Sequence, residues 1–302
     1  METKHISAAL SLKLNKNQIL KNAQMKQHTT FKAGGAAKLM VLPGSTEELR
    51  HCINSARSLG FPYYIMGNGS NLLVRDSGYE GLIIKLGDRF NRIEVRDNLI
   101  TAQAGALLSA VAEAAALHGL TGMEGGSGIP GSIGGGLVMN AGAYGWEMKD
   151  SVVRITGITP EGNPVNLTKD ELKLSYRHSV ISDNGIVITS ADLNFQSADS
   201  SKIWATMGNL AKKRNERQPV TFPSAGSIFK RPEGSFAAKL IEEAGLKGLI
   251  LGGAQVSPLH AGFIINKNNA TAQDILDLIE LVKLTVFDNA GVRLVEEIRI
   301  LG

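Results

Sequence analysis

Apolar residues recur at helical spacing in a few stretches of the chain and form short strand-like runs elsewhere. Leu49, Ile53, Ala56 and Leu59 share one helical face; Ser45 or Thr46 can cap that helix and Gly60 can stop it. Residues 107–118 predict a second helix, ended by Gly119. Residues 203–216 predict a basic amphipathic helix ended by Pro219, and residues 236–244 a short one closed by Gly245. Thr271 caps the longest, whose Ile275, Leu278, Ile279, Val282 and Val286 form one apolar face, with Gly291 closing it. Strands are expected at 38–42, 63–66, 72–74, 82–86, 92–96, 99–104, 152–159, 164–167, 186–195, 262–266 and 292–301. Residues 1–30 are weakly patterned and read as an arm, with Ile19 and Leu20 beginning a short helix. Residues 220–234 read as a loop rich in Pro, Gly and Ser.

This pattern is α+β and divides near 215–220. The arm (1–30) precedes a large region (31–215), itself of two α+β subdomains at about 31–96 and 97–215. A smaller α/β domain follows (216–302), its last strand free to rejoin the first subdomain. Composition agrees with a folded protein: 43% of residues are hydrophobic and 20% charged. A net charge of +4 comes without a dense Lys/Arg run interleaved with aromatics, which argues against nucleic acid. An anionic small molecule and a mildly basic solvated surface explain the excess equally well. Cys52 is the one cysteine, so neither an intrachain disulfide nor a cysteine zinc site can form. It occupies an apolar helix position and reads as core. No run approaches a membrane span, no N-terminal apolar stretch suggests export, and no His/Asp/Glu cluster has metal spacing. The expectation is a cytoplasmic protein without membrane insertion.

The chain has 34 glycines, and they cluster. Gly67, Asn68, Gly69, Ser70 and Asn71 directly follow the expected strand 63–66. Successive N–H groups there can turn into one concavity and hold a pyrophosphate; a tight strand-to-strand turn is the equal alternative. The second cluster runs over residues 125–136. Its Gly126, Gly128 and Gly131 spell G-x-G-x-x-G, with Asp150 about twenty residues further on. The context opposes a Rossmann site. No buried strand precedes the motif, and Pro130 lacks an N–H and turns Ile129 away from the helical region. The loop reads instead as a backbone cradle for an extended dinucleotide, because ordering so many glycines costs too much entropy for an idle loop.

The ordered series 67–74, 127–135 and 140–145 resembles the FAD-binding domain of the vanillyl-alcohol-oxidase (PCMH-type) superfamily. Within it, segments 29–35, 175–179, 225–232, 244–248 and 297–302 are similar to the UDP-N-acetylenolpyruvoylglucosamine reductases (MurB). The resemblance covers nearly the whole chain from about residue 25. It implies a PCMH-type FAD-binding domain followed by a substrate domain, with FAD bound non-covalently, since neither loop holds a His or Cys. The FAD contacts it implies are Gly67, Asn68, Gly69, Ser70, Asn71, Gly126, Ser127, Gly128, Ile129, Pro130, Gly131, Ser132, Gly134, Gly135, Asn140, Gly142 and Ala143. Some relatives carry a loop with a closing tyrosine after the Tyr-Arg motif. Here only residues 178–185 separate Arg177 from the next expected strand, so the chain resembles the subtype without it.

The implied reaction converts UDP-N-acetylglucosamine enolpyruvate to UDP-N-acetylmuramate, a peptidoglycan precursor, with NADPH as co-substrate. Arg177 suits the substrate carboxylate, since a guanidinium stays charged and binds carboxylates in a bidentate fork. The resemblance makes Ser227 the proton donor and Glu297 the group that stabilises the enol. Alone, each has a plain alternative: Arg177 a surface ion pair, Ser227 a turn serine, Glu297 a solvated carboxylate beside Glu296. Strand alternation would send Glu296 and Glu297 to opposite faces and set Arg299 beside Glu297. Tyr176, Arg217, Lys230, Arg231, His260 and Arg299 are the candidates for the sugar nucleotide, whereas Lys212, Lys213 and Arg214 read as a solvated helix face. A monomer is expected. The rival readings are an oxidase of the same superfamily and a nucleotide-binding protein without catalysis.

Overall fold

The apolar face that begins at Leu49 folds as expected, as the helix Thr46–Ser58. The Ser45 hydroxyl accepts from the Glu48 N–H, and Leu49, Cys52, Ile53 and Ala56 are fully buried. In the computed structural model, which describes residues 2–302, that helix belongs to the first of two units. The first unit comprises the chain through Lys21, Leu39–Asn68 and Gly81–Lys212; the second comprises Asn22–Lys38, Gly69–Glu80 and Lys213–Gly302.

The first unit is built on a five-stranded antiparallel sheet. Its strand order is Pro164–Thr168, Val152–Ile158, Val187–Asn194, Leu99–Gln103, Ile93–Arg96. The helices Leu108–Leu117 and Ile133–Val138 share its core. The parallel pair Tyr63–Met66 and Tyr79–Lys85 brings the chain to the first glycine loop. Part of the expected arm is helical instead. Helix Glu2–Leu10 buries Ile6 and Leu10 in the same core as Thr46–Ser58, and His51 Nε2 meets the Ala9 carbonyl at 2.8 Å. Ile19 and Leu20 open a strand, Ile19–Gln24, and not a helix. The glycine stretch also contains an unexpected helix, Ile133–Val138, whose Ser132 hydroxyl caps Gly135 N–H.

The second unit has a four-stranded antiparallel sheet in the order Ser224–Ser227, Phe263–Asn266, Ala254–Val256, Ile250–Leu251, with the helix Ala272–Ala290 in its core. Its core includes Phe31, Ala33 and Leu73, which come from the first quarter of the sequence. Three ties hold those early segments in place. Arg299–Leu301 pairs in parallel with Leu72–Val74. Asp76 accepts from the N–H groups of Ala272 and Gln273 at 2.9 and 2.8 Å, satisfying two of the donors a helix start leaves open. Asn266 donates to the Phe31 carbonyl at 3.1 Å and accepts from Ala270 N–H at 2.7 Å. The units therefore differ from the contiguous segments 31–215 and 216–302.

Two further elements depart from the sequence pattern. The stretch 220–234, read as a loop, contains the sheet strand Ser224–Ser227. The expected strand 292–301 is regular only over Arg299–Leu301. Ahead of it Glu296 makes a single antiparallel bridge to Phe229, and a bend at Ile298 follows.

Candidate active site

The first two residues of the first glycine loop meet the second loop within the first unit. The Asn68 amide donates to the Pro130 carbonyl at 2.7 Å, and a Cβ built at Gly67 would fall on the Ser132 hydroxyl. Among the described residues, the N–H groups of Asn68, Gly69, Ser70 and Asn71 donate no hydrogen bond within the chain. Unclaimed backbone donors in a short glycine turn suit the oxygens of a pyrophosphate. By contrast, the start of helix Ile133–Val138 is used internally. Its Ile133 and Gly134 N–H groups donate to the Ala106 and Ala104 carbonyls, and Gly135 N–H reaches the Ser132 hydroxyl.

Much of the second loop's glycine content answers to packing inside the protein. At Gly125 and Gly126 a Cβ would collide with the Trp146 side chain; at Gly142 it would meet the Trp146 carbonyl and the Glu147 side chain. Gly134 has the Ala104 methyl at 3.0 Å from its Cβ position. Their missing side chains thus serve the fold. Gly128, Pro130 and Gly135 are exposed, while Ser127, Ile129, Gly131 and Ala143 are half-buried.

Asn140, which the resemblance places among the FAD contacts, has its side chain engaged within the protein. It is fully buried in a left-handed backbone conformation (φ 42°). Its amide donates to Glu147 Oε2 at 3.1 Å and to the Ser175 carbonyl at 3.0 Å, and its oxygen accepts from Lys149 N–H at 3.0 Å. Ser175 and His178 exchange both backbone hydrogen bonds, so Tyr176 and Arg177 form the tip of a tight turn. Arg177 has φ 54°, and its guanidinium lies 5.0 Å from the centre of the Tyr176 ring. Glu147 is held below the usual carboxylate range, first by the hydrogen bond from Lys149, with its charge, the Asn140 amide and the Arg177 guanidinium adding and burial opposing. The short helix Ile181–Asn184 ends at left-handed Gly185, and strand Val187–Asn194 follows.

In the second unit the structure brings Ser227 and Glu297 together. Ser227 ends strand Ser224–Ser227, after Gly226 at φ +77° and a register shift, opposite Phe263. Next to it, the Ile228 carbonyl accepts from Glu297 N–H at 2.7 Å. The Glu297 carbonyl in turn accepts from the Asn71 side chain at 3.1 Å, and the Asn71 carbonyl accepts from Arg299 N–H at 2.9 Å. The end of the first glycine loop is therefore bonded to the segment that carries Glu297. Glu296 is no solvated carboxylate: Lys283 binds it at 2.7 Å while also holding Glu280. Both Glu296 and Glu297 are half-buried.

Comparison with known proteins decides the family. A model of the UDP-N-acetylenolpyruvoylglucosamine reductase C-terminal domain matches residues 218–301, and an FAD binding domain model matches residues 37–168. The UDP-N-acetylenolpyruvoylglucosamine reductase of Clostridioides difficile strain 630 is 47% identical over 289 residues, covering 96% of this chain and 95% of its own. That of Clostridium tetani is 49% identical over 289 residues, covering 96% and 94%. The chain belongs to the UDP-N-acetylenolpyruvoylglucosamine reductase family. A crystal structure of such a reductase from Thermus caldophilus, 32% identical, superposes with a TM-score of 0.81 over 94% of this chain and 98% of that one.

The residues expected to meet the reductase family's sugar nucleotide fall in varied settings. Tyr176 is exposed at the turn tip. Arg217 is the exposed last residue of helix Ser200–Arg217. Lys230 is half-buried, with its N–H on the Val295 carbonyl, and Arg231 stacks on Phe236 at 4.7 Å. His260 has a structural part: its Nδ1 accepts from Gly262 N–H at 3.1 Å and its ring meets Phe263 edge-on. Burial pushes its pKa down, so the neutral ring is favoured. It also lines a surface depression of about 520 Å3 with Phe236, Lys239 and Glu242. Arg299 is exposed, and the bend at Ile298 breaks the alternation that would have set it beside Glu297.

The sequence places Asn71 and Asn140 among the cofactor contacts but does not show the partners of their side chains, Glu297 and Ser175. Asn140 carried one local signal, since asparagine is enriched at left-handed positions. Asn71 carried none, because its partner lies 226 residues away.

Proposed function

We propose that this chain reduces the enolpyruvyl ether of UDP-N-acetylglucosamine enolpyruvate to UDP-N-acetylmuramate with NADPH, in peptidoglycan precursor synthesis. The observation that carries the site assignment is the bonding of Glu297 to both Asn71 of the first glycine loop and Ile228 beside Ser227. It joins the proposed acid and enol-stabilising residues to a loop with open N–H donors. The exposed and half-buried residues of the two loops hold FAD, with the donors at 68–71 on its pyrophosphate.

When bound, the flavin supplies the hydride, taken from NADPH, that adds to the terminal vinyl carbon. Adding hydride there pushes the electron pair onto the neighbouring carbon and its carboxylate. Arg177 binds that carboxylate and stabilises the growing charge. The Ser227 hydroxyl gives its proton to the neighbouring carbon, completing the lactyl ether. Glu297 stabilises the enol form. Tyr176, Arg217, Lys230, Arg231 and Arg299 recognise the sugar nucleotide. The enzyme works as a cytoplasmic monomer and, through cell-wall supply, serves cell shape and division.

An anaerobic two-step titration tests this reading. NADPH should bleach the flavin spectrum, and UDP-N-acetylglucosamine enolpyruvate should then restore it. A flavin that NADPH leaves oxidised, or that the sugar nucleotide leaves reduced, would falsify it.

A further inference from the structure

The turn that presents Tyr176 and Arg177 is tied at both ends to one short stretch of chain. At its start, the Ser175 carbonyl accepts from the Asn140 amide at 3.0 Å. At its end, the fully buried Ser179 hydroxyl donates to the Val138 carbonyl at 2.9 Å. Val138 closes the helix Ile133–Val138 in which the second glycine cluster ends, and Asn140 lies two residues beyond it. Asn140 is itself fixed, by the Glu147 carboxylate and by Lys149 N–H. Glu147 is in turn held by Lys149, whose ammonium lies 2.6 Å from the same carboxylate oxygen that Asn140 donates to.

At the tip Tyr176 is exposed and Arg177 half-buried. Arg177 moreover holds a left-handed backbone, a conformation that is strained for a non-glycine residue. Such a conformation persists only where its surroundings over-determine it. The Asn140 amide can supply that constraint, because both its N–H donors and its oxygen are engaged and it is shielded from water.

We propose that Asn140, with Ser179, is a positioning residue that fixes the Arg177 turn to the end of the glycine segment. It acts on the reduction step through Arg177 and does not touch the flavin. The inference rests on the proposed role of Arg177, and its test separates the two.

Asn140→Ala should speed amide hydrogen exchange over residues 175–179, a readout that needs neither flavin nor turnover. In the loaded enzyme, it should leave flavin content and the NADPH half-reaction near wild type. The sugar-nucleotide half-reaction should slow by about ten- to a hundredfold, the scale of a misplaced binding group. In an Arg177→Ala background, adding Asn140→Ala should slow it no further. Ser179→Ala, which removes the other tie, should reproduce the same pattern in a milder form and carries the test if Asn140→Ala does not fold. Loss of flavin, equal slowing of both half-reactions, additive effects with Arg177→Ala, or unchanged exchange at 175–179 would each overturn the proposal. A wild-type protein that fails the two-step titration would overturn the functional reading instead, with the exchange result still judging the clamp.

Discussion

Single residues in this site are defined by what their neighbours have already claimed. Glu296 and Glu297 are adjacent and chemically identical, yet Lys283 takes the first into an ion pair while the second has its backbone bonded between Ile228 and Asn71. The assigned role of Ser227 is testable alone. Ser227→Ala should leave flavin reduction by NADPH unchanged and slow the sugar-nucleotide half-reaction by about a hundredfold or more, the usual contribution of a positioned acid. Stopped-flow absorbance of each half-reaction checks this, and equal losses in both would remove Ser227 from the acid role. His260 makes a prediction of the opposite kind, about stability. Its ring is driven towards neutrality by burial, so its pKa falls on folding. As pH drops below about 6.5, the unfolded chain takes up the proton first and the folded state loses stability; above that value the contribution is constant. The wild-type advantage over His260→Gln in urea midpoint should therefore be full near pH 8 and shrink towards about pH 5. A gap independent of pH would contradict it.

At the scale of elements, a helix start is completed from far away in the chain. Helix Ala272–Ala290 has its own capping box from Thr271 and Asp274, and Asp76 adds acceptors for two more N–H groups. Asp76→Ala should destabilise the protein by about 1 kcal/mol, as for a lost helix cap, measured by chemical denaturation. No measurable change would mean that water replaces the carboxylate at no cost. The strands and helices with clear periodicity were legible from sequence: the face of Leu49, Ile53 and Ala56, and that of Ile275, Leu278, Ile279, Val282 and Val286, are buried as their spacing requires. Elements lacking such a period were misread. Ile19 and Leu20 join a strand because a partner strand is available, a fact that their own neighbours in sequence do not encode. Residues 292–298 look strand-like, yet their backbone makes a single bridge, through bonds with Ile228 and Lys230, before the chain bends.

For the whole molecule, the consequence lies in how the second unit is assembled. The C-terminal segment Lys213–Gly302 lacks Phe31, Ala33 and Leu73 of its own core, and it lacks the strand that Arg299–Leu301 pairs with. Expressed alone, residues 213–302 should not fold cooperatively, although a family model spans nearly the same range. Far-UV circular dichroism with a urea titration checks this; a sigmoidal transition in the isolated fragment would show that the early segments are dispensable.

The sequence by itself determined the periodic elements, the glycine loops and the family-like series of motifs. It also excluded a Rossmann site, because Pro130 and the missing strand are local facts. Tertiary structure alone decided which glycines are spaced for Trp146 and which face outward, and that Glu296 belongs to Lys283. It also decided that Asn71 and Asn140 commit their amides to Glu297 and Ser175. The physical reason is one of range. Periodicity, capping and proline sterics act between near neighbours in the chain, whereas a hydrogen bond or a close approach depends on residues that only folding makes adjacent.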